Sequence, residues 1–394
     1  MKILICNAGS TSLKFKLYDM PDCKVLAQCK IERVGSRDDA IFQYTNLLQP
    51  SKIDLVKQDI PNYRTGIERF LECLTSSQSG VIRDILEIER VGYKATVSKN
   101  FFGVHELTDE VLQGMRDWLP IATLHNSAYI ETITTMRAVL PDALFVGAFE
   151  TSFHRNIPLA RRMYGVPYEW YEKYGVQRLG YHSASHGYMA DLLNESTGGS
   201  YKAISLHLGG SCSVCAIQDG KSIDSSFGMS LQSGLIHANR VGDMDCDLVY
   251  FLQHEGLSDA EIKAGLEKNG GLYGLSGVSN DLRYILEAAD QGSARARLAM
   301  DVFVNGIVHY IGAFYVELGG LDTLIFTGGI GENSPDIRRL VCERLGVLGV
   351  QLSADKNEQC RGKADLSADG SKVKILVIPT DEEIGIARRT YEFK

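Results

Sequence analysis

The sequence has few cysteines and no excess of positive charge. Nine cysteines are scattered over 394 residues, a sparse and odd number that argues against a disulfide framework and for a reducing compartment. Aspartate and glutamate outnumber lysine and arginine by 49 to 41, which gives a formal net charge of −8. This balance disfavours a broad electrostatic surface for nucleic acid or anionic lipid. The composition therefore predicts a small-molecule partner, with no nucleic acid and no membrane.

Long hydrophobic runs are also missing. The most apolar stretch, residues 298–318, is interrupted by Asp301, Asn305 and His309, and its periodicity is that of a buried helix rather than a membrane span. Residues 1–6 read directly as a strand, without the apolar core and small-residue cleavage site of a signal peptide. We therefore expect a cytoplasmic protein.

Two common nucleotide-binding motifs are incomplete. Gly329 and Gly331 are followed by Ser334 where a third glycine would complete a dinucleotide fingerprint. Residues 220–222 have the glycine, lysine and serine that end a P-loop, but Cys215 occupies the position of its first glycine. The sequence thus excludes these two motifs.

Metal and redox motifs are equally weak. His182 and His186 have the i, i+4 spacing of a helical metal pair, but neither is followed by the glutamate of a zinc protease and no third ligand is evident. Cys212 and Cys215 form a lone CxxC on a predicted strand, which does not favour a redox role.

Glycine, by contrast, is abundant. It accounts for 39 of the 394 residues, about a tenth, against a usual share of about 7%. Residues 2–13 align with residues 203–214 at a constant offset, and each copy reads as an apolar strand, a glycine-serine turn and a second strand. Chance similarity between strands is the alternative explanation. The repeat favours two similar halves.

The rest of the chain alternates predicted strands with predicted helices. Strands are expected at 144–148, 323–326 and 373–378, and a long helix at about 294–318. The last helix is expected to begin with Thr380 as its N-cap residue, because a glutamate follows three positions later. This alternation indicates the α/β class.

Two turns and one acid are candidates for chemistry. Residues 7–14 offer backbone N–H groups, small hydroxyl side chains and Lys14, which together can surround phosphate oxygens; a polar hairpin is the alternative. Residues 327–334 follow a buried strand, where glycines let a ligand approach the backbone. Glu150 also follows a buried strand, so its carboxylate could reach a site or lie on a surface loop.

Together these segments resemble the acetate kinase family, part of the actin, Hsp70 and sugar-kinase superfamily. The similarity extends over essentially the whole chain and is carried by residues 7–14, 178–186, 328–334 and 380–383. It implies an α/β fold of two duplicated ribonuclease-H-like (actin-like ATPase) domains with a cleft between them. The N-terminal domain would comprise 1–149 plus 383–394, and the nucleotide-binding C-terminal domain 150–382.

The resemblance implies reversible transfer of the ATP γ-phosphoryl group to a short-chain carboxylate, with Mg²⁺, in a homodimer that pairs through the C-terminal half. Each implied site residue belongs to one of four groups. They are catalytic Arg240, His182 and Glu150; substrate-binding Lys94, His125, Leu124, Tyr181 and Leu231; metal-binding Asn7 and Glu382; and nucleotide-binding Lys14, Ser10, Ser12, His207, Leu208, Gly209, Gly210, Ser211, Asp281, Leu282, Arg283, Gly329, Ile330, Gly331, Glu332 and Asn333.

Several positions depart from the family pattern. Lys94 stands where the family has a substrate-holding arginine and cannot make its bidentate contact to a carboxylate. Glu150 replaces the catalytic aspartate, and one extra methylene can misplace a carboxylate by about 1 Å and cost about a hundredfold in rate. Gly210 replaces an asparagine. Tyr181 and Leu231 replace a phenylalanine and a proline of the acyl pocket.

These changes predict a carboxylate kinase whose acid is more polar than acetate or of a different size. A catalytically impaired nucleotide-binding paralogue with a regulatory role is one alternative. A kinase for another acceptor, such as propionate or the hydroxyl of a larger metabolite, is the other.

Overall fold

The computed structural model describes residues 1–9, 11–49 and 51–394, apart from the side chains of Thr123 and Leu124. Ser10 and the side chain of Leu124, both assigned to the site above, therefore lie outside the described residues.

The chain divides into two compact units. Unit 1 consists of Met1–Ser152 and Asp381–Lys394, and unit 2 of Phe153–Thr380. These bounds place Glu150 and Glu382 in unit 1, whereas the predicted domain boundaries place both in the second domain.

Unit 1 is built on an eight-stranded sheet. Its elements are β1 (Lys2–Gly9), β2 (Ser12–Asp19), β3 (Lys24–Glu32), β4 (Ser36–Asn46), β5 (Ser51–Ile60), α1 (Tyr63–Thr75), β6 (Ile88–Ala95), β7 (Val104–Glu106), α2 (Asp109–Asp117), α3 (Leu119–Val139) and β8 (Leu144–Phe149). The strand order is β5-β4-β3-β2-β1-β6-β8-β7. Strands β1 to β5 form an antiparallel meander, and β1, β6 and β8 run parallel.

One face of this sheet packs against α1 in the main core of the unit. Along β2, Leu13, Phe15 and Leu17 are buried while Lys14 between them is exposed, as alternation along a strand requires. The Phe15 ring stacks on Phe70 of α1 with centroids 4.4 Å apart.

Unit 2 has a six-stranded sheet. Its helices are α4 (Leu159–Arg162), α5 (Tyr168–Tyr174), α6 (Ser183–Thr197), α7 (Asp247–His254), α8 (Asp259–Glu267), α9 (Gly271–Ser276), α10 (Leu282–Asp290), α11 (Ala294–Leu318), α12 (Gly328–Asn333), α13 (Pro335–Glu343) and α14 (Ala354–Gln359). Its strands are β9 (Lys202–Leu208), β10 (Cys212–Gln218), β11 (Lys221–Ser225), β12 (Thr323–Thr327), β13 (Ala364–Asp365) and β14 (Lys374–Val377), in the order β11-β10-β9-β12-β14-β13.

The two units confirm the predicted duplication. In unit 1 the run β3-β2-β1-β6-β8 has two antiparallel followed by two parallel pairings. In unit 2 the run β11-β10-β9-β12-β14 has the same sequence of pairings. The hairpins β1–β2 and β9–β10 contain the two copies of the repeat, so each begins the sheet of its own unit.

The chain returns to unit 1 as α15 (Glu382–Glu392), which lies on the sheet face opposite to α1 and contacts β1, β6 and β8. Asp381 caps this helix by accepting a hydrogen bond from the Ile384 N–H at 3.2 Å. The helix therefore begins one residue later than predicted, because the Asp381 carboxylate takes the capping position expected for Thr380.

The apolar helix α11 is long and apolar enough to cross a membrane by length and composition alone. Its bounds confirm the predicted helix at 294–318. It packs against β9 and β10, and Phe303, Ile307, Ile311 and Phe314 on its inner face are buried. This is the arrangement of a core helix.

Candidate active site

Unit 1 brings Lys94, Glu150 and Glu382 together. Lys94 lies near the end of β6, Glu150 follows the neighbouring strand β8, and Glu382 is the first residue of α15. The Lys94 Nζ atom is 2.6 Å from Glu382 Oε2 and 3.8 Å from Glu150 Oε2. The exposed fractions of the three side chains are 18%, 8% and 15%. We call this group the acid–lysine cluster.

The two carboxylates keep Lys94 charged. Burial by itself would lower the pKa of Lys94, but the negative charges of Glu150 and Glu382 outweigh it and raise the pKa above its ordinary value. The ammonium of Lys94 contacts the two acids of the cluster. Its contact to the substrate carboxylate stays a prediction.

Tyr129 belongs to the same region and was missed by the sequence analysis. Its hydroxyl donates a hydrogen bond to Asn7 Oδ1 at 2.9 Å, and its side chain is buried on α3. Burial raises its pKa, Lys94 lowers it, and Cys6 and both acids of the cluster raise it further. The phenol is therefore a permanent donor. Tyr129 lies four positions after His125 on α3, and this helical spacing is a sequence signal that could have identified it.

Asn7 and Glu382 have the donor chemistry for a metal. Amide and carboxylate oxygens are the ligands that a hard divalent cation prefers, so the residues fit the predicted role. However, Asn7 Oδ1 accepts the Tyr129 hydrogen bond, and Glu382 Oε2 accepts one from Lys94. In each of these predicted metal ligands, one oxygen thus already accepts a hydrogen bond from another side chain.

Unit 2 has a pocket of ≈680 Å³ between the turn after β9, the start of α10 and the α12–α13 region. Eight of the predicted nucleotide residues line it: Gly209, Gly210, Asp281, Leu282, Arg283, Gly329, Ile330 and Asn333. It is also lined by residues that were not assigned to nucleotide binding from the sequence: Ala238, Asn239, Asn280, Leu286, Ser334, Pro335 and Asp336. We call it the glycine pocket.

The glycines of the pocket have different physical roles. Gly328, which precedes the pocket residue Gly329, has a φ of +75°, and a Cβ there would lie 2.7 Å from the Leu208 carbonyl oxygen, so only glycine is accommodated. A Cβ added at Gly329 or Gly210 meets no described atom within 4 Å. These two glycines leave open space that a ligand can fill.

Other predicted nucleotide residues are placed elsewhere. Among the described residues that line the pocket, His207, Leu208, Ser211, Gly331 and Glu332 are absent. Glu332 Oε1 instead accepts backbone hydrogen bonds from Gly328 and Thr380 at 3.0 and 3.2 Å. Lys14 is exposed on β2 of unit 1, paired with Asn7 of β1 and two residues along the strand from Ser12.

At the pocket rim, Asp281 caps α10. Its carboxylate accepts from the Arg283 N–H at 3.0 Å and pairs with the Arg283 guanidinium at 2.5 Å. These hydrogen bonds from Arg283 hold the pKa of Asp281 below its ordinary value. The Arg283 side chain is 84% exposed and carries its charge at the mouth of the pocket.

A chain of histidines and serines runs through unit 2 from His182. The His182 Nδ1 atom is 2.7 Å from Ser213 Oγ, which lies 2.8 Å from His186 Nε2. His186 Nδ1 in turn is 3.0 Å from Ser205 Oγ. Burial holds the pKa of His186 well below its ordinary value, so that imidazole is neutral.

His182 is fixed in an unusual conformation. It is the N-cap residue of α6, with φ 57° and ψ 32°, a left-handed region that costs about 1–3 kcal/mol for a residue other than glycine. Its ring stacks on His207 with centroids 4.1 Å apart, and His207 Nδ1 is 2.9 Å from Ser185 Oγ. Backbone strain of this kind is common at functional sites.

Arg240 and Tyr181 are held by backbone carbonyls of one loop. The Arg240 guanidinium donates to the Leu231 carbonyl at 2.5 Å, and the Tyr181 hydroxyl donates to the Met229 carbonyl at 2.6 Å. Burial lowers the pKa of Arg240, but a guanidinium remains charged near neutral pH. The Tyr181 ring packs edge-on against Phe227.

Comparisons with known proteins agree over nearly the whole chain. The sequence model of the acetokinase family matches residues 2–388 of this chain. An acetate kinase of Syntrophomonas wolfei is 39% identical over 396 residues, covering 99% of both chains, and one of Brachyspira hyodysenteriae is 40% identical over 394 residues, also covering 99% of both.

Solved structures give the same result. Acetate kinase of Porphyromonas gingivalis is 36% identical, with a TM-score of 0.88 over 99% of this chain and 98% of that one. A propionate kinase of Francisella tularensis is 28% identical, with a TM-score of 0.90 over 100% of both chains. The chain belongs to the acetokinase family.

Proposed function

We propose that this chain transfers the γ-phosphoryl group of ATP to the carboxylate of a short-chain acid such as acetate, giving ADP and an acyl phosphate. A carboxylate oxygen attacks the γ-phosphorus in line, the bond to the bridging oxygen breaks, and ADP leaves with that electron pair. The acid is already ionised near neutral pH, so no base has to remove a proton. The observation that carries the proposal is the match to acetate kinases over 99% of the chain.

Arg240 and His182 are the proposed catalytic groups of unit 2. Arg240 would neutralise charge on the transferring phosphoryl group, and His182 would donate a hydrogen bond to it. The fixed positions of both side chains support these roles, because preorganised donors stabilise developing charge without having to rearrange. In unit 1, Glu150 of the acid–lysine cluster, beside Lys94, is the third proposed catalytic residue.

The glycine pocket is the proposed nucleotide site. Its volume of ≈680 Å³ is within the range of small-molecule sites, and the bare glycines Gly210 and Gly329 leave room for a base. Arg283 at the rim would offer charge to the nucleotide. For Lys14, Ser12, His207, Leu208, Ser211, Gly331 and Glu332, a nucleotide contact stays a prediction from the resemblance.

A divalent ion such as Mg²⁺, held by Asn7 and Glu382, would offset the negative charge of the phosphates. Glu382 would contribute from the first turn of α15 and Asn7 from β1. Tyr129 would orient the Asn7 amide through its hydrogen bond.

The acid is proposed to be small and apolar. The Tyr181 hydroxyl, which suggested a more polar acid, is hydrogen-bonded to the Met229 carbonyl and so adds no free polar group to the acyl pocket. Acetate is the first candidate. Propionate is the second, because a propionate kinase has the same fold over the full length of both chains.

The test is to trap the acyl phosphate as its hydroxamate with a panel of short acids, ATP and Mg²⁺. We expect signal with acetate or propionate and a strong reduction in a Glu150→Ala variant. If no acid gives more hydroxamate than Glu150→Ala, the kinase proposal fails. Nucleotide-dependent thermal stabilisation without turnover would then support the impaired paralogue, which the full-length match to kinases does not favour.

A homodimer and a cytoplasmic location complete the proposal. Unit 2 exposes several large aromatic side chains, including Trp170 and Tyr174 on α5 and Tyr250 and Phe251 on α7, the last two 70% and 56% exposed. Exposed aromatic residues are enriched at protein interfaces. Light scattering coupled to size-exclusion chromatography should give twice the 43.5 kDa chain mass.

A further inference from the structure

The acid–lysine cluster raises the question of what neutralises two buried carboxylates before any ligand binds. Glu150 and Glu382 carry two negative charges, and burying a charge is costly unless it is paired. Lys94 supplies the counter-charge, with its ammonium 2.6 Å from Glu382 and 3.8 Å from Glu150. The protein therefore provides its own cation at this position.

This internal cation contacts the residue that a metal would use. Glu382 Oε2, to which Lys94 donates, belongs to the proposed metal ligand, while the other ligand, Asn7, accepts from Tyr129 through its own oxygen. A divalent ion on the Glu382 carboxylate would approach the Lys94 ammonium closely, and the two positive charges would repel each other.

We propose that Lys94 is the resident cation of Glu150 and Glu382 and excludes free divalent ions from them, so that the metal enters together with the nucleotide. The inference rests on the proposed metal role of Asn7 and Glu382. Phosphate oxygens arriving with the metal bring the negative charge that lets two cations share the site. Lys94 thus determines that the metal binds with the nucleotide and not before it, in addition to neutralising charge on the two acids.

The test is Mn²⁺ binding to the nucleotide-free protein, measured by electron paramagnetic resonance. Lys94→Gln removes the ammonium and should bind one Mn²⁺ at least tenfold more tightly than the wild type. Lys94→Arg keeps the charge and should bind as weakly as the wild type. Lys52→Gln, on the exposed strand β5, is the matched control for loss of one positive charge and should change nothing.

The added Mn²⁺ site must also be located. Introducing Glu382→Gln into the Lys94→Gln protein should abolish the gain in affinity. If the gain persists there, or if the wild type binds Mn²⁺ as tightly as Lys94→Gln, the proposal is wrong. Hydroxamate formation with saturating Mg–ATP is measured separately on the wild type, so failure of this proposal is distinguishable from failure of the kinase proposal.

A folding control is needed because Lys94→Gln leaves two buried carboxylates without a counter-charge. The double variant Lys94→Gln/Glu150→Gln has the same formal cluster charge as the wild type. It replaces the single variant in the Mn²⁺ measurements if Lys94→Gln does not fold. Mn²⁺ should raise the melting temperature of either variant more than that of the wild type, because a ligand that binds only the folded state stabilises it. Equal increases in wild type and variants would contradict the proposal.

Discussion

At the scale of single residues, the contact that most needs testing is the hydrogen bond from Tyr129 to Asn7. Tyr129→Phe removes this donor and leaves the Asn7 amide free to rotate. We expect kcat to fall about fivefold, the effect of losing about 1 kcal/mol of hydrogen bonding, with a higher Mg²⁺ requirement. Steady-state kinetics with Mg²⁺ as the varied component measures both.

The matched control is Tyr93→Phe. Tyr93 is buried beside Tyr129, and its hydroxyl donates to the Thr132 carbonyl at 3.2 Å. Loss of the Tyr93 hydroxyl should lower the stability of the protein but leave kcat unchanged. Equal losses of kcat in the two variants would mean that Tyr129 acts through packing alone.

The serine between His182 and His186 gives a second prediction at this scale. Ser213→Ala breaks both the 2.7 Å and the 2.8 Å contacts and removes the group that fixes which His182 nitrogen carries the proton. We expect kcat to fall about tenfold, together with a changed pH dependence of kcat. Ser205→Ala, at the far end of the same chain of contacts, should leave the shape of the pH profile unaltered.

At the scale of elements, α15 depends on a glycine beneath it. A Cβ at Gly92 of β6 would collide with Thr390 Oγ1 on α15 and lie 2.7 Å from Ile5 Cδ1. Gly92→Ala should therefore push α15 away from the sheet and destabilise unit 1 by about 1–3 kcal/mol, the usual cost of overpacking. Urea denaturation followed by tryptophan fluorescence and circular dichroism measures the loss.

A second change identifies the cause. Thr390→Ala in the Gly92→Ala protein removes the colliding hydroxyl and should recover part of both stability and activity, because α15 carries Glu382. Arg90 continues to hold the end of the helix in this variant, donating to the carbonyls of Thr390, Tyr391 and Phe393 at 2.7, 3.0 and 2.7 Å. No recovery would show that the alanine acts on the strand itself.

The elements also show which parts of the structure local sequence can predict. The helix at 294–318 and the strands near 144–148 and 323–326 were predicted closely, because periodic burial is a local property. The cap of α15 was misassigned by one residue, because Thr380 and Asp381 are both competent caps. The Lys94–Glu382 contact joins positions 288 residues apart, and only the assembled sheet and α15 bring them together.

At the scale of the whole molecule, buried neutral histidines make stability depend on pH. Burial lowers the pKa of His154 to about 4, and burial together with Arg240 lowers that of His237 to about 3. An unfolded histidine binds its proton near pH 6.5. Between these values the unfolded chain holds more protons, so stability is full above pH 6.5 and falls as the pH decreases towards 4.

These two groups together should cost roughly 2–3 kcal/mol between pH 7 and pH 5.5. The urea midpoint measured at several pH values in this window is the readout. His154→Gln keeps polar groups near Ser222 and Tyr181, which His154 contacts at 2.8 Å each, and should remove about 1 kcal/mol of the pH dependence. The buried His186 contributes in the same direction and is unchanged in this variant. A midpoint that is the same at pH 7 and pH 5.5 would contradict this assignment.

The path of the chain has a consequence for synthesis. Unit 1 is interrupted after Ser152 and resumes only at Asp381, so a growing polypeptide produces all of unit 2 before α15 exists. Until then Lys94 lacks its contact with Glu382, and Arg90 lacks the carbonyls at the end of α15. Ile5 and Gly92 also lack the helix that packs over them. A polypeptide released early would therefore contain the glycine pocket but not the completed acid–lysine cluster. If the glycine pocket is the nucleotide site proposed above, interrupted synthesis would yield fragments that bind ATP but cannot transfer its phosphoryl group.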